Sequence, residues 1–198
     1  GGSMPLDLAR MALAATAAPG DPQDPQKPYP YLSADVRFPH PPAHTTLAGT
    51  LTLPRQKGPF PAVVLITGSG PQDRNETLMG HKPFLVISDY LTRRGIAVLR
   101  FDDRGTAESG GNFASATTAD FATDVEAAVS YLHTRKQIIA GRVGLVGHSE
   151  GGLIAAMVAA MDKHIDFIVM LAGPGLTGEQ VLLTQQAAIA KAMGVPTE

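Results

Sequence analysis

Residues 45–53 alternate in character, with Leu47, Gly49, Leu51 and Leu53 set against Thr46, Ala48, Thr50 and Thr52. A period of two marks a strand with one buried face, and Val36 and Phe38 upstream predict an antiparallel partner for it. Further along, the pattern changes. Ala62–Ile66, Ala97–Phe101, Val143–Val146 and Phe167–Leu171 are short runs, largely or wholly apolar, as expected of parallel strands covered on both faces. Helical spacings fall between them. Phe84, Ile87 and Leu91 recur at intervals of three and four within 83–94, and Gly95 stops that helix. Thr117-Thr118-Ala119-Asp120 reads as a capping box, followed by Phe121, Val125, Val129 and Leu132 on one face. Apolar helical runs also cover 153–161 and 179–193. The alternation predicts an α/β fold: a three-layer, mostly parallel sheet with right-handed crossovers, preceded by an antiparallel hairpin.

Composition narrows the class. A chain of 198 residues with 44% hydrophobic content can bury one sizeable core, and its formal charge of -2 offers no basic patch for nucleic acid. The absence of cysteine excludes a disulfide framework, a thiol nucleophile and a Cys-ligated metal. Gly1-Gly2-Ser3 looks like the remnant of an expression tag. The alanine-rich stretch 4–18 is broken by Asp7 and Arg10 and lacks the form of a signal peptide, and no membrane span is apparent. The compartment stays open: cytoplasm, or periplasm and exterior if a signal peptide has been removed. Prolines between 19 and 30 predict an extended lead-in.

The chemistry concentrates at Gly147-His148-Ser149-Glu150-Gly151, between a strand-like and a helix-like run. A serine hydroxyl is a weak nucleophile, so it needs a sharp strand-to-helix turn that holds it exposed where a base can take its proton. Glycines two residues to either side permit that turn. Ser149 is therefore the candidate catalytic nucleophile, expected in a strained turn at the carboxyl end of the sheet. Acyl transfer also needs donors aimed at the oxygen that becomes negative. The Glu150 N–H at the helix start is one, and Ser69 or Gly70, in the loop Gly68-Ser69-Gly70-Pro71-Gln72-Asp73-Arg74, could supply a second.

Other motifs carry less. Gly68-Ser69-Gly70 follows a strand, but Asp73 stands where a dinucleotide fingerprint requires its third glycine, and no P-loop lysine follows. Phe101-Asp102-Asp103-Arg104-Gly105 reads as a loop clamp in which Arg104 pairs with Asp102 or Asp103, with substrate contact as the alternative. His148 and Glu150 flank the nucleophile with side chains turned away from it, and His148 reads as a packed histidine. His40, His44, His81 and His133 suggest no base, and no histidine pair has zinc-site spacing. No cofactor or metal is implied.

Together these segments resemble the α/β-hydrolase superfamily, specifically bacterial serine esterases similar to dienelactone hydrolases and the serine-aminopeptidase-like group. The resemblance runs from about Val36 onward and rests on Leu51-Thr52-Leu53-Pro54, the Gly68–Arg74 loop, Phe101–Gly105 and Gly147–Gly152. It implies a carboxylesterase-like serine hydrolase acting on small ester substrates; the charge and the lack of an apparent span lead us to expect no nucleic-acid or membrane partner. One local departure is Ala107, in the place of a glycine. In this fold the triad runs Ser, then Asp or Glu, then His. After Ser149 the only histidine is His164, flanked by Asp162 and Asp166 at the far end of a strand. We therefore expect an N-terminal portion of a hydrolase, with the fold incomplete at its C-terminus. The acid and histidine would come from a C-terminal portion, continuous or as a separate chain, and this chain alone would be inactive.

The expected organisation is an extension over 1–34, a hydrolase core over 35–175, and the start of a helical cap over 176–198. Covering of an open apolar edge by a second chain or by self-association is expected. Peptide hydrolysis by the same apparatus, and a non-catalytic α/β binding module, are the competing functions.

Overall fold

The computed structural model describes residues 22–194. The expression-tag reading of Gly1–Ser3, the 4–18 stretch and the first residues of the extended lead-in lie outside them. Strands β1 (Leu32–His40) and β2 (Thr45–Leu53) pair antiparallel over their whole length, Leu32 opposite Leu53 and His40 opposite Thr45. β2 then pairs antiparallel with β4 (Ala97–Phe101). β3 (Phe60–Ile66) lies parallel between β4 and β5 (Ile138–His148), and β6 (Ile165–Leu171) runs parallel to β5 at the edge. The six strands order as β1-β2-β4-β3-β5-β6.

Period-two alternation divides the central strands between two apolar layers. Val63, Leu65, Val98 and Val146 face α1 (Pro83–Arg93), whose Phe84 fills that side. Val64, Leu99, Val143 and Leu145 face the opposite layer, which holds α2 (Thr118–His133) and α3 (Glu150–Met161). Both layers cover β3 and β4, which accounts for their continuous apolar runs. The α2 N-terminus carries the capping box: the Thr117 hydroxyl accepts from the Asp120 N–H, and the Asp120 carboxylate accepts from the Thr117 N–H. Gly95, at φ 92, supplies the left-handed residue that ends α1.

The last two elements are different. No residue of β6 or of α4 (Gly178–Ala192) is buried, and Phe167, Met170, Leu182, Leu183 and Ile189 are exposed. This is the apolar edge that the sequence pattern led us to expect at the strand over 167–171.

Candidate active site

One residue joins β5 to α3, and it is Ser149. Its backbone sits at φ 52 and ψ -118, a conformation that a side-chain-bearing residue adopts only when its surroundings impose it. Here the surroundings are backbone. A Cβ on Gly147 would lie 2.0 Å from the Gly151 carbonyl oxygen, and one on Gly151 would lie 2.3 Å from the carbonyl oxygen of Ile66. Both are closer than atoms can approach, so only glycine lets helix, strand and turn meet here. The Ser149 N–H donates to the Leu171 carbonyl at 2.9 Å, which ties the turn to β6. Ser149 as a residue is half-buried, and its hydroxyl donates to no described group.

The loop from Thr67 to Lys82, between β3 and α1, is held by carboxylates from the end of β4. Asp103 accepts from the Thr67 hydroxyl at 2.7 Å and from the Gln72 N–H at 2.8 Å. Asp102 accepts from the Arg74 backbone N–H at 2.8 Å and, on its two oxygens, from Nε and Nη2 of the Arg74 guanidinium at 3.0 and 2.6 Å. That bidentate pair holds the Arg74 pKa above its usual value. Asp73 closes the next turn, accepting from the Asn75 and Thr77 N–H groups. Arg104 does not pair with Asp102 or Asp103. It turns across the sheet to Asp124 of α2, with Nε and Nη2 on the two oxygens at 2.8 and 2.9 Å. The loop-clamp reading is corrected in its partner, because residues 102 and 104 project toward different parts of the structure.

Asp103 is buried, and burial pushes its carboxyl up to about 7. The bonds from Thr67 and Gln72 oppose that shift without cancelling it, and the charges of Asp124 and Asp102 add to it. Burial also raises the Asp124 pKa, with Arg104 opposing.

His148 is not packed in the core. Its side chain is 44% exposed, and Nδ1 lies 2.7 Å from Oε1 of Glu76. The same Glu76 oxygen accepts from the Gly68 N–H at 2.8 Å, so one buried carboxylate joins the nucleophile turn to the start of the 67–82 loop. Sequence reasoning missed Glu76, which no local motif marks and whose φ of 53 only the structure shows. The Glu150 carboxylate accepts from the Thr118 hydroxyl at 2.7 Å. His40, which carried no chemical signal, is fully buried, 2.9 Å from the Thr123 hydroxyl and 3.4 Å from Asp124. His164 bonds Asp162 and packs edge-on against His133, beyond the far end of β6 from Ser149.

A cavity of about 380 Å³ opens over Ser149. Ser69, Glu150 and Leu153 line its floor, and Leu176, Val181 and Leu182 of the α4 region line its roof. Gly70, at φ 92, lines a smaller adjoining cavity of about 20 Å³ together with Asp103, Asp124 and Glu150. The Gly68 N–H is occupied by Glu76, whereas those of Ser69, Gly70 and Glu150 donate to no described group.

Comparison with known proteins agrees with this architecture. The sequence profile of the X-Pro dipeptidyl-peptidase (S15) family matches residues 44–193. Esterase EstD of Thermotoga maritima is 37% identical over 139 residues, which are 70% of this chain and 33% of that protein. The uncharacterized protein PA2218 of Pseudomonas aeruginosa is 30% identical over 128 residues, 63% of this chain and 32% of that protein. The chain thus spans about a third of the length of these two relatives. The crystal structure of PA2218 superposes with a TM-score of 0.65 over 88% of this chain and 58% of that one. A structure of the Pyrococcus furiosus esterase Pf2001 does so at 0.59, with 26% identity, over 73% of this chain and 50% of that one.

Proposed function

The chain belongs to the X-Pro dipeptidyl-peptidase (S15) family, on the α/β-hydrolase fold, and from that premise we propose that it carries the nucleophile and oxyanion-binding groups of a serine esterase. The observation that carries the reading is the one-residue turn at Ser149, strained and opening on a cavity whose floor also holds Ser69 and Glu150. The Ser149 oxygen attacks the acyl carbon of a small carboxylic ester, and the resulting acyl-enzyme is released by water. Negative charge on the former carbonyl oxygen is held by the Glu150 N–H, at the positive end of α3, and by the N–H of Ser69 or Gly70. Ser69 is the better second donor, because it lines the same cavity as Ser149. Glu76 withholds the Gly68 N–H and fixes this loop against the turn.

The base and its acid are assigned to a C-terminal portion, joined to this chain or separate from it. His148 is engaged with Glu76, and His164 lies beyond the far end of β6. Residues 35–175 then form the core that this portion completes, and α4 begins a cap over the Ser149 cavity, in keeping with Val181 and Leu182 in its lining. The relative named as an esterase supports ester substrates.

A second substrate class has its own support, since the family's description names an X-Pro dipeptidyl-peptidase. Full-length protein assayed on p-nitrophenyl acetate and on Xaa-Pro p-nitroanilides separates the two. The esterase reading expects turnover of the acetate that vanishes in Ser149→Ala. Turnover of the anilide alone would replace it with the peptidase, and no turnover of either would leave a binding module.

A further inference from the structure

Arg100 lies on β4, two strands from the edge of the sheet and opposite Thr50 of β2, and it is 95% buried in side chain and backbone together, with a relative exposure of 5%. Burying a guanidinium is costly unless a carboxylate or a full set of acceptors compensates it. Here only Nη1 is satisfied, by the Asn75 side-chain oxygen. Nε is completely enclosed and donates to nothing, and Nη2 has no described partner. Among the described residues no carboxylate forms an ion pair with Arg100. Burial holds its pKa below the usual arginine value.

Arg100 lines a cavity of about 700 Å³, on the α1 side of the sheet and beneath the 67–82 loop. Four more cations line it: Lys27, Arg55, Arg74 and Lys82. Among the described residues Asp35 is the one acid of the lining, and its Oδ1 is already shared by the Thr50 hydroxyl and Arg74. Arg74 and Lys82 have carboxylate partners in Asp102 and Asp24. Among the described residues that leaves three without an acid in ion-pair range: Arg100, the exposed Arg55, and Lys27, whose ammonium lies over the Tyr29 ring. Tyr29 and Tyr31, stacked with centroids 5.1 Å apart, form an aromatic wall beside the charge.

We propose that this cavity is a binding site for a small oxyanion, a carboxylate- or phosphate-bearing molecule, seated on Nη2 of Arg100 with Arg55 as a second cation. With Nη1 held by Asn75 and Nε enclosed, Nη2 is the donor left for a ligand, and a charge-assisted bond from it to a carboxylate or phosphate oxygen would compensate the buried guanidinium. The aromatic wall and Leu85 suit an apolar body behind the anionic group. The site shares no lining residue with the Ser149 cavity, and the proposal does not depend on the esterase reading.

Isothermal titration of the purified protein with inorganic phosphate, and separately with sodium benzoate, tests it at constant ionic strength against chloride. Saturable binding of either is expected; phosphate alone identifies a phosphoryl ligand, and benzoate alone a carboxylate. Arg100→Met should lose at least tenfold in affinity, and Arg55→Gln, a surface change that leaves the fold intact, severalfold. Ser149→Ala should bind as the parent does. The Nε–H resonance of Arg100 should shift with the same saturation curve. Absence of saturable binding by both anions, or equal affinity in the parent and Arg55→Gln with an unmoved Arg100 resonance, would overturn the proposal.

Discussion

Replacing Gly151 by alanine adds one methyl group at the point where α3 crosses the end of β3. Built on the present backbone, that carbon lies 2.3 Å from the Ile66 oxygen and 2.5 Å from the Thr67 oxygen. Ordinary carbon–oxygen contact is roughly 3.3 Å, so helix and strand must separate by about 1 Å, and both obstacles are main chain rather than a flexible side-chain end. Overpacking of this kind costs about 1–3 kcal/mol. Alanine's better helix propensity opposes it by at most about 1 kcal/mol, and by less at the second position of a helix than in its interior. Strain wins, and we expect a net loss of about 1–2 kcal/mol. Because Thr67 opens the loop that holds Ser69, the same movement also separates Ser149 from its oxyanion donors. Urea unfolding measures the stability change, with Gly175→Ala as the control: no atom lies within 4 Å of a Cβ there, and its φ is not in the left-handed region. A Gly151→Ala midpoint equal to that of the control would refute the close crossing on which the turn depends.

Asp103→Asn should flatten the pH dependence of stability. With its carboxyl raised to about 7, the folded protein keeps a proton that the unfolded chain has lost above about pH 4, so this group's stabilisation is complete below pH 4 and is lost as pH rises through 7. Urea midpoints at pH 5 and pH 8 should differ less in the variant than in the parent; an unchanged difference would refute the assignment. Ala107→Gly should stabilise by about 0.5–1 kcal/mol in thermal unfolding, since Ala107 sits at φ 46 and the strain it relieves exceeds glycine's added chain entropy. Glu76→Ala in the full-length enzyme should lower kcat for p-nitrophenyl acetate about tenfold, from the loss of one buried hydrogen bond that positions the oxyanion loop. A KM effect with kcat unchanged would assign Glu76 to substrate binding instead.

The fold was legible because its signals are local. Alternation over 45–53, the apolar run over 97–101 and the capping box at Thr117 each lie within one element, and their boundaries match β2, β4 and the start of α2. The turn at Ser149 was legible for the same reason: its two glycines are neighbours in the chain. What could not be read is the pairing of side chains that only folding brings together. Arg104 with Asp124, Arg74 with Asp102, and Glu76 with His148 are separated by 20, 28 and 72 residues. Composition offers several carboxylates for each cation, and only the sheet order decides among them. His148 illustrates the consequence, since a histidine in an apolar stretch reads as core, yet its ring projects past the strand end to a loop carboxylate. Arg100 was hidden within the apolar run Ala-Val-Leu-Arg-Phe, where nothing local distinguishes a buried unpaired charge from one facing solvent.

The central claim is that Ser149 is the nucleophile, and covalent trapping tests it most directly. Full-length protein treated with a fluorophosphonate and mapped by peptide mass spectrometry should carry a single adduct on Ser149, absent from Ser149→Ala, while thermal unfolding of the variant is nearly unchanged. An adduct on any other residue, or labelling that persists in Ser149→Ala, would contradict it.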